Sequence, residues 1–322
     1  VTPDLSLDDL KFIGEGLNRP ECVFAVSDGT IFLADWDGGV TRIGPDGGQQ
    51  RFMEQENFGL RPNGVALRRD GSFLVAHLGA EDGGLFQLYR DGTLKPLLLE
   101  VEGEAVPPSN YVLEDSQGRI WLTVSTRLQP RDLGYRRDVA DGFIVLLDAR
   151  GARVVADDLG YTNEIQFDAE EEYLYVNETF GRRLSRFKVS PDGRLSVKEV
   201  VAEFGEGTFP DGLIFDDEGG IWITSIVSNR VIRVDPNGGQ RVLLEDSDPD
   251  HLKTVEAAYR EGKLGRPHLD NVKSRVLRNI SSLAFGGRDL KTAYLGCLLG
   301  DRIACFRSPV AGRPPLHWNY PS

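Results

Sequence analysis

One column of residues constrains this chain more than any other feature. Setting Glu21, Asn63, Asn110, Asn163, Asp211 and Ser281 in a single register aligns six segments behind them. Two residues on stand Val23, Val65, Val112, Ile165, Leu213 and Leu283, all apolar. Eight residues on stand Gly29, Gly71, Gly118, Glu171, Gly219 and Asp289, each compatible with a turn. A second apolar run follows in each copy, from Ile31-Phe32-Leu33 to Ile221-Trp222-Ile223, and the sixth, near Ala293-Tyr294-Leu295, slips by a residue or two. The column spacings are 42, 47, 53, 48 and 70 residues. A four-stranded propeller blade repeats at about 40–50 residues, and radial repetition leaves no long exposed sheet edge. The expectation is an all-β chain: one six-bladed β-propeller with four-stranded blades, filling residues 1–322 as a single domain. A β-sandwich array would not hold one register through six units.

The 70-residue spacing contains the exception. Within 248–279, Leu252, Val255, Ala258 and Tyr259 recur at helical spacing. Asp248 can cap that helix and Pro249 can occupy its first turn. A short helical insertion between blades five and six is therefore expected, either as a packed surface excursion or as a lid over one face. Elsewhere Asp28-Gly29, Asp46-Gly47, Asp70-Gly71, Asp91-Gly92, Asp192-Gly193 and Asn237-Gly238 mark tight hairpins.

The formal charge of −13 opposes binding to phosphate backbones, and no basic patch offsets it, so nucleic acid is not an expected partner. No apolar run reaches the roughly 18 residues of a membrane helix. Three cysteines, Cys22, Cys297 and Cys305, fit neither a disulfide framework nor a zinc site and read as buried thiols. Val1–Leu10 does not read as a signal peptide, although a trimmed leader is compatible with a chain that starts without Met. A cytoplasmic protein acting on a small molecule is the expectation, with oligomeric state left open.

The column itself carries the chemistry. It opens the first strand of each unit, and in a propeller that strand is innermost, so six polar side chains converge near one mouth of the axis. Their desolvation is costly without a partner. A lone Asn or Asp beside Gly is usually a turn residue, but these precede strands at equivalent places. Carboxylate and amide oxygens without Cys or His suit one hard divalent cation, and Glu21 and Asp211 supply the matching charge.

At this point the sequence resembles a known family. Arg-Pro-Glu21 ahead of an apolar strand, Ser109-Asn110 with Asp115-Ser-Gln-Gly118-Arg119-Ile-Trp121 behind it, Thr162-Asn163 ahead of Tyr173-Leu-Tyr-Val176, Phe209-Pro-Asp211-Gly212 and Phe285-Gly286-Gly287 occur in order. Together, over about residues 12–318, they look like the blade motifs of the senescence marker protein / gluconolactonase / luciferin-regenerating enzyme family. The resemblance implies a catalytic metal held by Glu21, Asn163 and Asp211, with Asn110 as a further or water-mediated ligand. Calcium is the first expectation, with zinc, manganese, magnesium or iron as alternatives within the family. It also implies hydrolysis of a lactone or a similar small ester, with Asp211, or failing it Glu164, as general base.

Two positions depart from the family pattern. Tyr111 follows the third-blade Asn where many members carry Asp, and Glu164 follows the fourth-blade Asn where many carry Gly. Tyr111, Glu164, Asn63 and His77 are the expected substrate-facing residues, with Phe209 and Trp36 beside Tyr111 in a flatter, more apolar pocket. The departures leave room for an isomerase, cyclase or lyase on the same site; the resemblance also extends to organophosphate hydrolases, and a binding propeller without catalysis is a third alternative. The four histidines and Ser281 do not compose a nucleophilic triad, and no nucleophile-elbow or phosphate-loop pattern occurs.

Overall fold

A computed structural model describes residues 4–322. Its strands form six four-stranded antiparallel sheets, one per expected blade, plus a two-stranded hairpin at Glu100–Val101 and Glu104–Ala105. The innermost strands are Val23–Ala25, Pro62–Leu67, Ser109–Glu114, Thr162–Phe167, Phe209–Phe215 and Ile280–Gly286. All six apolar residues two positions after the column are buried. The first hairpin turn then needs a left-handed residue. Gly29, Gly71, Gly118 and Gly219 supply it, Glu171 adopts φ 54°, and in blade six the turn takes Gly287 and Leu290 instead of Asp289. That displacement is the slip visible in the sixth repeat.

Blade six holds a feature that the repeat did not reveal. Its fourth strand is Lys11–Ile13, from the start of the chain, paired antiparallel to Ile303–Arg307. The blade that ends the chain is thus completed by its beginning, so no blade is left with a missing edge strand.

Blades three and five share a buried polar clamp. Asp115 Oδ1 accepts the Gln117 and Arg119 amides at 3.0 and 2.9 Å, and its Oδ2 accepts Trp121 Nε1 at 2.9 Å and Arg119 Nε at 2.6 Å. Asp216 repeats this with the Glu218 and Gly220 amides at 3.0 and 2.7 Å, Trp222 Nε1 at 2.9 Å and Arg233 Nε at 2.6 Å. One carboxylate therefore closes the turn and satisfies the indole of a fully buried tryptophan.

The insertion forms two helices, α1 (Pro249–Arg260) and α2 (Arg266–Asp270). Asp248 caps α1, accepting the His251 amide at 2.7 Å, and Pro249 stands in its first turn. Val255, Tyr259, Leu264 and Leu269 pack against Tyr135, Tyr161, Phe180 and Phe209 of the propeller. Arg182 pairs with Glu256 at 2.5 Å, Glu256 also accepts the Gly207 amide at 2.6 Å, and Tyr259 donates its hydroxyl to Phe180 O at 2.5 Å. Since α2 contributes Arg266 and Leu269 to the pocket at the polar column, the insertion covers the mouth that carries the column. No helix among the described residues is long and apolar enough to cross a membrane. Cys22, Cys297 and Cys305 are free and buried.

Candidate functional site

The column residues are aimed inward by an irregularity that recurs around the axis. In blades two to six the register between the first two strands shifts at the column: Pro62/Val65, Ser109/Tyr111, Thr162/Ile165, Pro210/Leu213 and Ile280/Leu283. In blade one the ladder begins only at Val23, just past Glu21. A bulge leaves a residue out of the ladder and re-aims its side chain, and here it does so in the same place in every paired blade. Gly64 and Gly212 follow the column in blades two and five because the next blade leaves no room. A Cβ on Gly64 would lie 2.5 Å from Tyr111 Cα, and one on Gly212 would lie 2.6 Å from Ser281 O.

Hydrogen bonds staple the ring from blade to blade. Asn63 Nδ2 donates to Asn110 O at 2.9 Å, Asn177 Nδ2 to Asp211 O at 3.0 Å, and Ser281 Oγ to Glu21 O at 2.9 Å. Asn163 Nδ2 donates to Thr179 Oγ1 at 3.0 Å, which in turn donates to Pro210 O at 2.8 Å. These bonds consume the amide nitrogens and leave oxygens over. The Oδ1 atoms of Asn63 and Asn163 are buried and have no protein partner. A buried acceptor left in that state is costly.

Glu21, Asn110, Asn163 and Asp211 line one small pocket together with Arg19, Arg131, Tyr135, Tyr161, Thr179, Phe180, Arg266 and Leu269. It measures about 30 Å³, room for an ion or a very few waters. Larger hollows lie elsewhere: about 670 Å³ beside the ring, between Arg19 and Arg278, and about 510 Å³ beneath the C-terminal segment around Pro315. Only the small pocket gathers the column's carboxylates.

The electrostatics of that pocket favour a cation. Burial, and then the negative charge of Glu21, push the Asp211 carboxyl well above the usual carboxylate range, against the pull of Arg19 and the Asn163 amide. Arg19 Nε donates to Glu21 Oε2 at 2.9 Å and its guanidinium lies 4.3 Å from the Trp36 ring centroid. Among the described residues no three His, Cys, Asp or Glu side chains are grouped tightly enough to hold a metal by themselves. The available donor set is two carboxylates completed by amide oxygens, and the orphaned Oδ1 of Asn163, which lines the pocket, fits it.

The other expected residues are distributed differently. Asn63 belongs to the ring but does not line the pocket. Tyr111 lines the hollow under the C-terminal segment, with Phe24 and Phe167. Phe209 is wholly buried against Tyr259 and Phe180, and Trp36 lies under Arg19, so the flat aromatic pocket expected around Tyr111 is not formed. Glu164 lines neither hollow; its Oε2 accepts the Leu213 amide of the next blade at 3.1 Å. Burial, and then the charges of Asp211 and Glu21, raise the Glu164 carboxyl far above its ordinary range. His77 accepts the Arg61 amide on Nδ1 at 3.0 Å, its Nε2 faces Asp82 at 3.3 Å, and Phe58 and Phe86 pack on its ring. These contacts tie down a loop outside the pocket. Ser281 Oγ is spent on Glu21 O.

A six-bladed propeller with bulged inner strands and a polar ring at one axial mouth defines a class of scaffold in which one site serves all six blades. Within that class the chain belongs to the SMP-30/gluconolactonase/LRE-like family, whose profile matches residues 19–245. It is 28% identical over 291 residues to a 6-deoxy-6-sulfogluconolactonase of Pseudomonas putida, covering 88% of this chain and 84% of that one. In structure it resembles a gluconolactonase of Xanthomonas campestris, with TM-score 0.67 and 19% identity over 93% of this chain and 89% of that one. It also resembles a calcium-binding regucalcin of Agrobacterium tumefaciens, with TM-score 0.65 and 17% identity over 97% and 98% of the two chains.

Proposed function

We propose that this protein is a lactone hydrolase whose site is the pocket at the covered mouth. The observation that carries this reading is the convergence of Glu21, Asn110, Asn163 and Asp211 on one pocket in a member of this family. Glu21, Asn163 and Asp211 would hold one divalent cation, with Asn110 beside them; the relative described as calcium-binding makes calcium the first ion to test. Bound there, such an ion supplies Lewis-acid polarisation of an ester carbonyl and acidifies water.

The chain's own groups do the rest. Asp211 takes a proton as water adds to the carbonyl carbon, and returns it to the ring oxygen as the ester C–O bond breaks, so the product is an open hydroxy acid. Arg19 holds the Glu21 carboxylate in place through their ion pair at 2.9 Å. Thr179 holds the Asn163 amide in the rotamer that turns Oδ1 inward. Tyr135, Tyr161 and Phe180 pack at 4.5–5.3 Å between centroids and form an apolar wall that excludes water from the reacting carbonyl.

A panel of sugar, aliphatic and aromatic lactones in a pH-stat tests the reading. Acid release from at least one lactone, abolished by a chelator and restored by a divalent ion, is expected. Acid release from none, across the metal series, would contradict it.

A further inference from the structure

The pocket that gathers the carboxylates is also lined by arginines, in a chain of net charge −13. Three arginines line the pocket and only one is matched inside it: Arg19 by Glu21. Arg266, on α2, pairs with Asp270 one turn on and lies 3.5 Å from the Tyr135 hydroxyl. Arg131 opens the 3-10 turn Arg131–Gly134 of blade three and has no ion-pair partner among the described residues. Its neighbour Asp132 does not line the pocket and turns its carboxylate towards Gly265 instead.

We propose that Arg131 and Arg266 recognise an anionic substituent, so that the preferred substrate is a lactone bearing a sulfonate, phosphate or carboxylate group. This rests on the lactonase reading above. Both guanidiniums line the same pocket as the Tyr135 and Tyr161 phenols, whose rings pack at 5.3 Å between centroids. The two come from different elements, the blade-three turn and α2, and line the same pocket. With a cation on Glu21 and Asp211, the remaining lining charge is positive, and a ligand that binds across it needs a negative group a few ångströms from its reacting carbonyl. Arginine's planar fork suits such oxyanions. An anion bridging the two would also draw α2 onto the bound substrate.

Matched substrates test this on the full-length chain. Glucono-1,5-lactone is compared with its 6-sulfonate, its 6-phosphate and the corresponding 6-carboxylate lactone. At least one charged lactone is expected to show kcat/KM ten-fold or more above the neutral one, and the best of the three identifies the group. Arg131→Gln and Arg266→Gln should each lower kcat/KM for that lactone about 10- to 100-fold, mainly through KM. The preference over the neutral lactone should collapse in parallel, with Arg131→Lys recovering part of it. The preference should also weaken with added salt. A neutral lactone used as well as every charged one, or an unchanged preference in both variants, would overturn the inference and leave the lactonase reading standing. Should no lactone be opened, that reading fails, and calorimetry decides the arginines separately. Tighter binding of 6-phosphogluconate than of gluconate, lost in the variants, upholds the anion site; equal binding overturns it.

Discussion

Asp211→Asn lowers kcat on the best lactone by about 10³-fold or more while leaving the fold intact. Asparagine has the same shape and keeps one oxygen facing the axis, so the bulge and the Asn177-to-Asp211 backbone hydrogen bond survive. In the proposed mechanism it loses a negative charge toward the cation and the atom that would accept the proton; general bases of this kind contribute about 10²–10⁴-fold, and the lost ligand charge would add to that. Stability in the presence of a chelator should move the other way. Burial and the charge of Glu21 both disfavour the Asp211 carboxylate, so removing it relieves a repulsion, and Tm in chelator should equal or exceed that of the parent. Turnover at the parent rate would remove Asp211 from the mechanism. A lower Tm in chelator would make it a structural residue.

Asp216→Ala has the largest expected effect on stability. The Asp216 side chain is fully buried, and its loss strands the Trp222 indole, the Glu218 and Gly220 amides and one face of Arg233. Removing one partner from a buried, hydrogen-bonded charge pair costs on the order of 3–5 kcal/mol. For a chain of this length that corresponds to a Tm lower by about 4–7 °C. Asp46→Ala provides the contrast: Asp46 is exposed and accepts only the Gly48 amide at 3.0 Å, so its loss should cost about 1 kcal/mol or less. Differential scanning calorimetry of both variants distinguishes the cases, and equal melting temperatures would show that the clamp is not a major stabiliser.

The fold was legible because a propeller repeats its errors as well as its rules. The polar column, the apolar position two residues on and the hairpin turn recur in register, and the structure shows a four-stranded sheet at each copy. The closing strand Lys11–Ile13 was not legible, since three residues carry no period and their partner lies at the opposite end of the chain. Asp248 and Pro249 announced α1, but only packing decides which face a helix covers.

The site was legible in part for the same reason. The column fixes a height on the axis, so Glu21, Asn110, Asn163 and Asp211 could be grouped without coordinates. Residues one step beyond the column could not be assigned a direction. The bulge sends Tyr111 to the hollow under the C-terminal segment and Glu164 to a backbone amide of the next blade. Neither side chain lines the small pocket, although the buried Glu164 carboxyl feels the charges of Asp211 and Glu21. The arginines and Tyr135 come from loops and the insertion, outside any repeat. Arg19 alone stood in a quoted motif, and its salt bridge to Glu21 is a signal that a reading for buried charge could have used.

Metal-assisted lactone opening at this mouth requires the ring to be an ion site. After exhaustive chelation and dialysis, the protein is titrated calorimetrically with calcium, manganese, magnesium and zinc, and Tm is followed in parallel. The prediction is one ion per chain with a Tm that climbs with ion concentration, as for any ligand that binds only the folded state, and with both effects lost when Glu21→Gln and Asp211→Asn are combined. No stoichiometric binding and no thermal shift with any of the four ions would contradict it.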